Sequence, residues 1–132
     1  MDVLFYAPEG VGDDIRRTVS EVIPGLEVYR SLGALTERFR RVLEQPAITV
    51  LVVRDRDELE SLLTMRTALR DTRTVLVLPD RRTETVSRGH YLEPRFMSYL
   101  DQGPAEVAAV LGKMVKTGNG NRDPSGERMP LP

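Results

Sequence analysis

Four arginines close to two strongly apolar segments form the set of side chains with the clearest binding chemistry in this sequence. Two of them come directly after the run Ile48–Val53, and two come soon after the run Val75–Leu78. They are Arg54, Arg56, Arg81 and Arg82. If both runs are neighbouring parallel strands, the guanidinium groups meet at one edge of a sheet, where they could bind an anion, a nucleotide phosphate or the acidic patch of a partner. The acidic residues between them, Asp55, Asp57 and Asp80, favour a second interpretation in which the arginines pair within the chain.

A glycine-containing segment near the N-terminus, Glu9–Asp14 (EGVGDD), lies where doubly wound folds bind phosphates. A dinucleotide-binding fingerprint needs a third glycine. The carboxylates of Asp13 and Asp14 at the start of a helix would also repel a phosphate. The pattern therefore favours a plain loop.

The composition excludes several classes of function. The chain has 132 residues, no cysteine, one histidine and a net charge of −1. Disulfides, thiolate metal sites and a cysteine nucleophile are excluded, and a multi-histidine metal site is disfavoured. No set of acid, base and nucleophile is visible, so we expect no enzyme activity, no cofactor and no metal.

Charge and hydropathy also bear on location. A near-neutral chain is not drawn to nucleic acid or to anionic membranes by bulk charge. The apolar runs are far shorter than the ~20 residues that span a bilayer, and the N-terminus has no basic signal-peptide region. We expect a cytoplasmic protein without nucleic-acid or membrane partners.

Strand-like and helix-like segments alternate along the chain. Short apolar runs predict strands at Val3–Ala7, Leu26–Ser31, Ile48–Val53, Val75–Leu78 and Phe96–Leu100. Apolar residues at helical spacing predict helices at Asp13–Ile23, Leu32–Glu44, Glu58–Leu69, Thr83–Tyr91 and Pro104–Val115. Val22 and Val42 are assigned to the apolar faces of the first two helices, and the arginines of the second to its outer face.

This alternation predicts an α/β fold of the flavodoxin-like (βα)5 type. Right-handed crossovers give a doubly wound parallel sheet with strand order 2-1-3-4-5. The second predicted strand carries Glu27 and Arg30, as suits an edge. Residues 1–116 are expected to form one domain. Glycines and prolines in residues 117–132 indicate a flexible C-terminal tail or a truncated linker.

The element order, the short fourth helix and the aromatic residue in the fifth strand resemble the receiver domain of two-component response regulators. The segment RFMSYLDQGPAEVAAVLGKMV is similar to the last strand, the lysine–proline turn and the last helix of that family. The resemblance implies a role in bacterial signal transduction. In receivers, an aspartate after strand 3 accepts the phosphoryl group beside a Mg²⁺ ion held by two acidic residues after strand 1. A hydroxyl residue after strand 4 and a lysine after strand 5 then bind the phosphoryl group.

The receiver's functional residues are largely replaced here. The acidic pair after strand 1 becomes Ala7 and Pro8, the hydroxyl position falls on Pro79, and the lysine position falls on Asp101 or Gln102. Asp13 and Asp14 are too far along the loop to replace the acidic pair easily. Only Asp55 remains as a candidate phosphoacceptor. The resemblance therefore implies an atypical receiver, or pseudo-receiver.

The end of the chain offers candidate interaction residues. Tyr99 matches the family's switch aromatic, and Met97 lies on the same strand; a tyrosine simply packed at the sheet edge is an equal alternative. Ala105, Ala108 and Ala109 allow another element to approach the last helix closely. These alanines either form an interface or pack under the domain's own fourth helix.

From these features we expect a non-catalytic signalling module that acts by protein–protein interaction and forms a homodimer. The alternatives are an anion- or nucleotide-binding regulatory domain that uses the four arginines, and a divergent receiver phosphorylated at Asp55.

Overall fold

The computed structural model describes the backbone of residues 1–119 and the side chains of residues 1–116. The strands are β1 (Asp2–Tyr6), β2 (Glu27–Tyr29), β3 (Ala47–Val52), β4 (Arg73–Leu78) and β5 (Phe96–Tyr99). The helices are α1 (Asp13–Val22), α2 (Leu32–Phe39), α3 (Arg56–Leu63), α4 (Arg66–Leu69), α5 (Thr83–His90) and α6 (Ala105–Asn119). A short 3₁₀ turn, Leu100–Gln102, joins β5 to α6.

All strand pairs are parallel, and the sheet order is β2-β1-β3-β4-β5. The predicted flavodoxin-like α/β fold is confirmed. β3 is buried along its whole length, whereas the three residues of β2 are partly exposed. This difference follows from their sequences, because β3 is apolar on both faces and β2 carries a charged residue at an edge.

Two apolar layers cover the sheet. One contains Phe5, Val50 and Val77 from the strands with Ile15 of α1 and Leu111 of α6. The other contains the opposite-facing strand residues with apolar side chains of the helices on that side, among them Leu35, Leu59, Leu62, Leu69 and Val86. Alternate strand residues therefore bury both faces, as a doubly wound sheet requires.

Gly89 allows α5 to lie close to the sheet. A Cβ at this position would be 3.0 Å from Cδ2 of Leu76 and 3.3 Å from Cδ1 of Leu78. The absent side chain explains a glycine inside a helix, where it ordinarily costs about 1 kcal/mol relative to alanine.

Several predicted boundaries and orientations are wrong in detail. α2 ends at Phe39 rather than Glu44, and Val42 is 94% exposed beyond it. Val22 is 43% exposed. The helix predicted over Glu58–Leu69 is two helices, because the Thr64 and Met65 amides bond to carbonyls three residues back.

The last predicted helix is longer than expected. α6 begins at Ala105 and continues through Asn119, so three residues assigned to the tail are helical. The rest of the predicted tail, residues 120–132, lies outside the described residues.

Arg38 is the clearest departure from the expected outward-facing arginines of the second helix. Its side chain is only 6% exposed; Nε donates to Glu27 at 2.8 Å and Nη2 donates to Asp2 at 3.0 Å. Asp2 also accepts the Glu44 amide at 2.7 Å, and Tyr29 donates to Glu27 at 2.5 Å. This network joins β1, β2 and α2 at the amino ends of the strands, which we call the amino edge.

The network is electrostatically self-consistent. The Glu44 amide lowers the pKa of Asp2 most strongly, and the Arg38 guanidinium lowers it further. The hydrogen bond from Arg38 lowers the pKa of Glu27, and the same bond raises the pKa of Arg38. Each group is therefore held in its charged form at neutral pH.

Within the described residues, no helix has the length and apolar character needed to cross a membrane.

Candidate functional site

The opposite side of the sheet, where the strands end, is called the carboxyl edge. Open α/β sheets usually bind their ligands there. Arg54 and Asp55 follow β3, Arg81 follows β4, and Tyr99 ends β5. The parallel sheet therefore places the sequence-predicted groups along one edge.

Asp55 is the N-cap of α3. Its Oδ1 accepts the Glu58 amide at 2.9 Å, and its Oδ2 lies 3.4 Å from Nε of Arg54. The side chain is 52% exposed. The candidate phosphoacceptor thus has a structural role at the start of a helix. Its carboxylate accepts a hydrogen bond from a backbone amide that has no partner within the helix, and its negative charge interacts favourably with the helix dipole.

A buried tyrosine–carboxylate pair lies beside this cap. The Tyr6 hydroxyl donates to Oε2 of Glu58 at 2.6 Å, and the Arg54 amide donates to Oε1 at 2.6 Å. Burial raises the pKa of Tyr6, and the hydrogen bond to Glu58 raises it further. The pair fastens the end of β1 to the first turn of α3.

Sequence reasoning missed this pair, although two signals were present. Tyr6 is a hydroxyl-bearing residue within the apolar first strand, and Asp55 and Glu58 have the spacing of a capping box. The Glu58 side chain differs from the usual motif because it accepts the amide of Arg54, one residue before the cap.

Arg81 connects the ends of β4 and β5. Its Nη1 donates to both oxygens of Asp101 at 2.7 Å, and its Nη2 donates to Oε1 of Gln102 at 2.9 Å. Its guanidinium carbon lies 4.3 Å from the centre of the Tyr99 ring. Internal pairing was one of the two interpretations of the arginines, but the partner of Arg81 is Asp101 rather than one of the predicted acids.

Arg81 contacts residues at two positions that are functional in receivers, the lysine position and the switch aromatic. Asp101 and Gln102 are the two residues on which the receiver resemblance places the family's lysine position. Here a carboxylate and an amide accept from an arginine instead. The same arginine covers the aromatic ring at the predicted switch position.

Arg56 and Arg82 lie near a further carboxylate. Oδ1 of Asp80 accepts the Arg82 amide at 2.9 Å, closing a tight turn. That hydrogen bond is the main cause of the lowered pKa of Asp80, and the charges of Arg82 and Arg56 contribute. Positive and negative groups therefore alternate along the carboxyl edge.

Gly12, in the glycine-containing segment Glu9–Asp14, has a structural reason to be glycine. It has φ +70° and is the N-cap of α1, and a Cβ there would lie 2.9 Å from Cγ1 of Val52. A close approach to the end of β3 thus requires glycine. Asp13 lies 3.5 Å from Arg30 of the neighbouring loop, so it also has a partner within the chain.

The predicted interaction residues differ in exposure. Met97 and Tyr99 are partly buried and pack against the layer that contains α5. Ala105 and Ala109 are exposed on α6, whereas Ala108 is 6% exposed. α6 packs against α1 and β5, and its buried residues Val107 and Leu111 lie in the apolar layer opposite to the one that contains Val86 of α5.

A groove between α3 and α5 was also missed from the sequence. Glu60 of α3 accepts two hydrogen bonds from Arg88 of α5, both at 2.8 Å. Arg88 lies 5.0 Å from the ring centre of Tyr91, which is 53% exposed. The ion pair spans the groove, and the single histidine, His90, is exposed nearby.

Among residues 1–116, no group of three or more histidine, aspartate or glutamate side chains is arranged to hold a metal ion.

Comparisons with protein-family models, with curated protein sequences and with solved structures found no match to this chain. The fold assignment therefore rests on the parallel strand order of this chain alone. The receiver resemblance continues to rest on element order and hydrophobic pattern.

Proposed function

We propose that this chain is a non-catalytic, receiver-like signalling module that acts through protein–protein interaction without normal aspartyl phosphorylation. The observation that carries the proposal is the mutual engagement of polar groups at the carboxyl edge. Asp55 caps α3, Glu58 binds Tyr6, and Arg81 binds Asp101. Phosphoryl transfer to a carboxylate would need charge neutralisation by a metal and a cation beside the acceptor.

The proposed partner surface comprises α5, β5 and α6, and its partner is a second copy of the chain. Ala109 and Ala105 leave room on α6 for close approach of another element. Tyr99 and Met97 contribute partly exposed apolar area at the β5 edge. Aromatic and methionine side chains are enriched at protein interfaces.

Sedimentation equilibrium tests this proposal with two matched variants. Ala109→Arg places a long charged side chain in the proposed interface. The control, Ala34→Arg, places the same side chain at an exposed position of α2, outside that interface. We expect a dimer that Ala109→Arg weakens at least tenfold and that Ala34→Arg leaves unchanged. A monomeric wild-type protein at millimolar concentration would refute the homodimer, as would equal effects of both variants.

A divergent receiver phosphorylated at Asp55 is a second candidate, supported by the 52% exposure of that side chain. Its test is Mg²⁺-dependent labelling by a small phosphodonor. Asp55→Asn is the appropriate control because asparagine also caps helices well. Labelling that disappears in this variant would favour the second candidate over the first.

An anion-binding regulatory domain is the other alternative. It is supported by Arg56 and Arg82, which form no ion pair within the described residues. Thermal stabilisation by nucleotides, lost in Arg82→Gln, would favour it.

A further inference from the structure

A cleft at the amino edge gathers three cations from three separate parts of the fold. Arg73 is the first residue of β4, Arg95 directly precedes β5, and Lys113 lies on α6. Together with Met114 they line a cleft of about 200 Å³. Among the described residues, no acidic side chain lines it.

Backbone pairing brings the two arginines together at the amino edge. β4 and β5 are paired in register with Val75 opposite Phe96. The Arg95 amide donates to the Thr74 carbonyl at 2.7 Å. Arg73 therefore starts one strand and Arg95 directly precedes its hydrogen-bonded neighbour, so the main chains of the two arginines lie side by side.

The positive charge of this cleft is not compensated within the described residues, where Arg73, Arg95 and Lys113 form no ion pair. Other arginines of the same chain, such as Arg38 and Arg88, bind carboxylates at 2.8 Å. The chain has 20 acidic side chains for 19 basic ones, so carboxylates are not scarce.

We propose that this cleft binds a phosphoryl group of a small molecule. Arginine forks match the several oxygens of a phosphate, and lysine adds a compact charge. The cleft is smaller than the ~300–1,000 Å³ typical of small-molecule pockets. It therefore suits the anionic group, with the rest of the ligand outside and Met114 as a flexible apolar wall.

This site is separate from the four arginines considered in the sequence, because it lies at the other edge of the sheet. The cleft adjoins the proposed dimer surface, because Lys113 lies on the same face of α6 as Ala105 and Ala109, but phosphoryl binding does not require the dimer. A failure of either proposal leaves the other standing.

Titration of the ¹⁵N-labelled full chain with inorganic pyrophosphate at low salt tests the proposal. We expect saturable amide shifts centred on Arg73, Arg95 and Lys113. Arg73→Gln should weaken binding about tenfold, the size of one lost hydrogen bond to a charged group. A triple variant that also carries Arg95→Gln and Lys113→Gln should abolish binding.

The matched control removes three charges from the carboxyl edge. A variant with Arg54→Gln, Arg56→Gln and Arg82→Gln should bind pyrophosphate within twofold of wild type. Amide spectra of both triple variants report whether the fold is intact. Shifts that the control variant removes would overturn the assignment, as would no saturable shift at millimolar pyrophosphate.

Two further probes define the ligand chemistry. ATP should compete with pyrophosphate, which would show that the site also accepts the phosphates of a nucleotide. Pyrophosphate binding without competition by ATP would still support a phosphoryl site, but one limited to small phosphate compounds. A hexaglutamate peptide should compete at least tenfold less well. Equal competition by the peptide would contradict the phosphoryl assignment and indicate a general acidic-partner surface.

Discussion

The two edges of the sheet use arginine in different ways. At the carboxyl edge, Arg81 and Asp101 form an ion pair whose side chains are 50% and 72% exposed. At the amino edge, Arg38 is buried between Asp2 and Glu27. Exposed pairs of the first kind contribute little to stability, whereas removing one member of a buried network leaves the others uncompensated.

This difference distinguishes side chains that hold secondary-structure elements together from side chains that we propose bind a ligand. The amino edge has one network that holds three elements together and, further along, a basic cleft whose cations form no ion pair within residues 1–116. The carboxyl edge, where such folds usually bind ligands, has polar groups that bind one another. At the edge that usually carries function, Asp55, Glu58 and Arg81 therefore bind groups of the same chain.

The largest effect is expected for Arg38→Gln, which should lower the free energy of unfolding by about 3 kcal/mol. The variant leaves the partly buried carboxylates of Asp2 and Glu27 without the cation that binds both of them. Urea unfolding measures the loss. Arg40→Gln is the matched control, because Arg40 is 74% exposed and should cost less than about 0.5 kcal/mol.

The same variant should change the dependence of stability on pH. The pKa of Glu27 is lowered in the fold by Arg38, so its contribution is complete above the ordinary value of 4.5 and is lost as pH falls through the lower folded value. Unfolding free energy should therefore decline less steeply below pH 4.5 in Arg38→Gln than in wild type. Parallel curves would contradict the assigned role of Arg38.

Tyr6→Phe should have the next largest effect, about 2 kcal/mol, because it removes a donor to the buried Glu58 carboxylate. Tyr29→Phe is the matched change at the amino edge. It should cost less, since Glu27 retains its 2.8 Å bond to Arg38. Equal losses in denaturant unfolding would mean that the Tyr6 bond does not fasten α3 as described.

The strand order could be predicted from the sequence, whereas these side-chain partners could not. Apolar runs such as Ile48–Val53 fix a buried strand because little else can bury both faces. Arg38 looked like an outer-face residue because its partners, Asp2 and Glu27, are brought to it only by sheet pairing. Asp101 was likewise hidden as the partner of Arg81, since nearer acids in the sequence offered simpler pairs.

Helix boundaries were also partly hidden. The turn at Thr64–Met65 contains residues that a helix accepts, and hydrogen bonds to earlier carbonyls break the helix there. The basic cleft could not be predicted, for the same reason as the Arg38 network. Arg73, Arg95 and Lys113 are far apart in sequence and meet only in the fold.

Asp55→Ala should lower stability by about 1 kcal/mol through loss of the α3 cap, whereas Asp55→Asn should stay within a few tenths. Thermal unfolding of the two variants measures the difference. Equal destabilisation would show that the negative charge, rather than capping by the side-chain oxygen, is what matters at this position.

Arg81→Gln should have the smallest effect on stability, below about 0.5 kcal/mol, because its ion pair is exposed. Its effect should appear instead in the Tyr99 ring, which loses the guanidinium that covers it. Ring-proton NMR shifts measure this change. A large loss of stability together with unchanged Tyr99 signals would reverse the comparison between the two edges.

The most direct test of the account is the backbone amide spectrum of the protein with and without Mg²⁺ and beryllofluoride, which mimics an aspartyl phosphate. If the carboxyl edge is satisfied by its own side chains, the spectrum should not change. Shifts around Asp55, Arg81 and Tyr99 that disappear in Asp55→Asn would contradict the account and show a working phosphorylation switch.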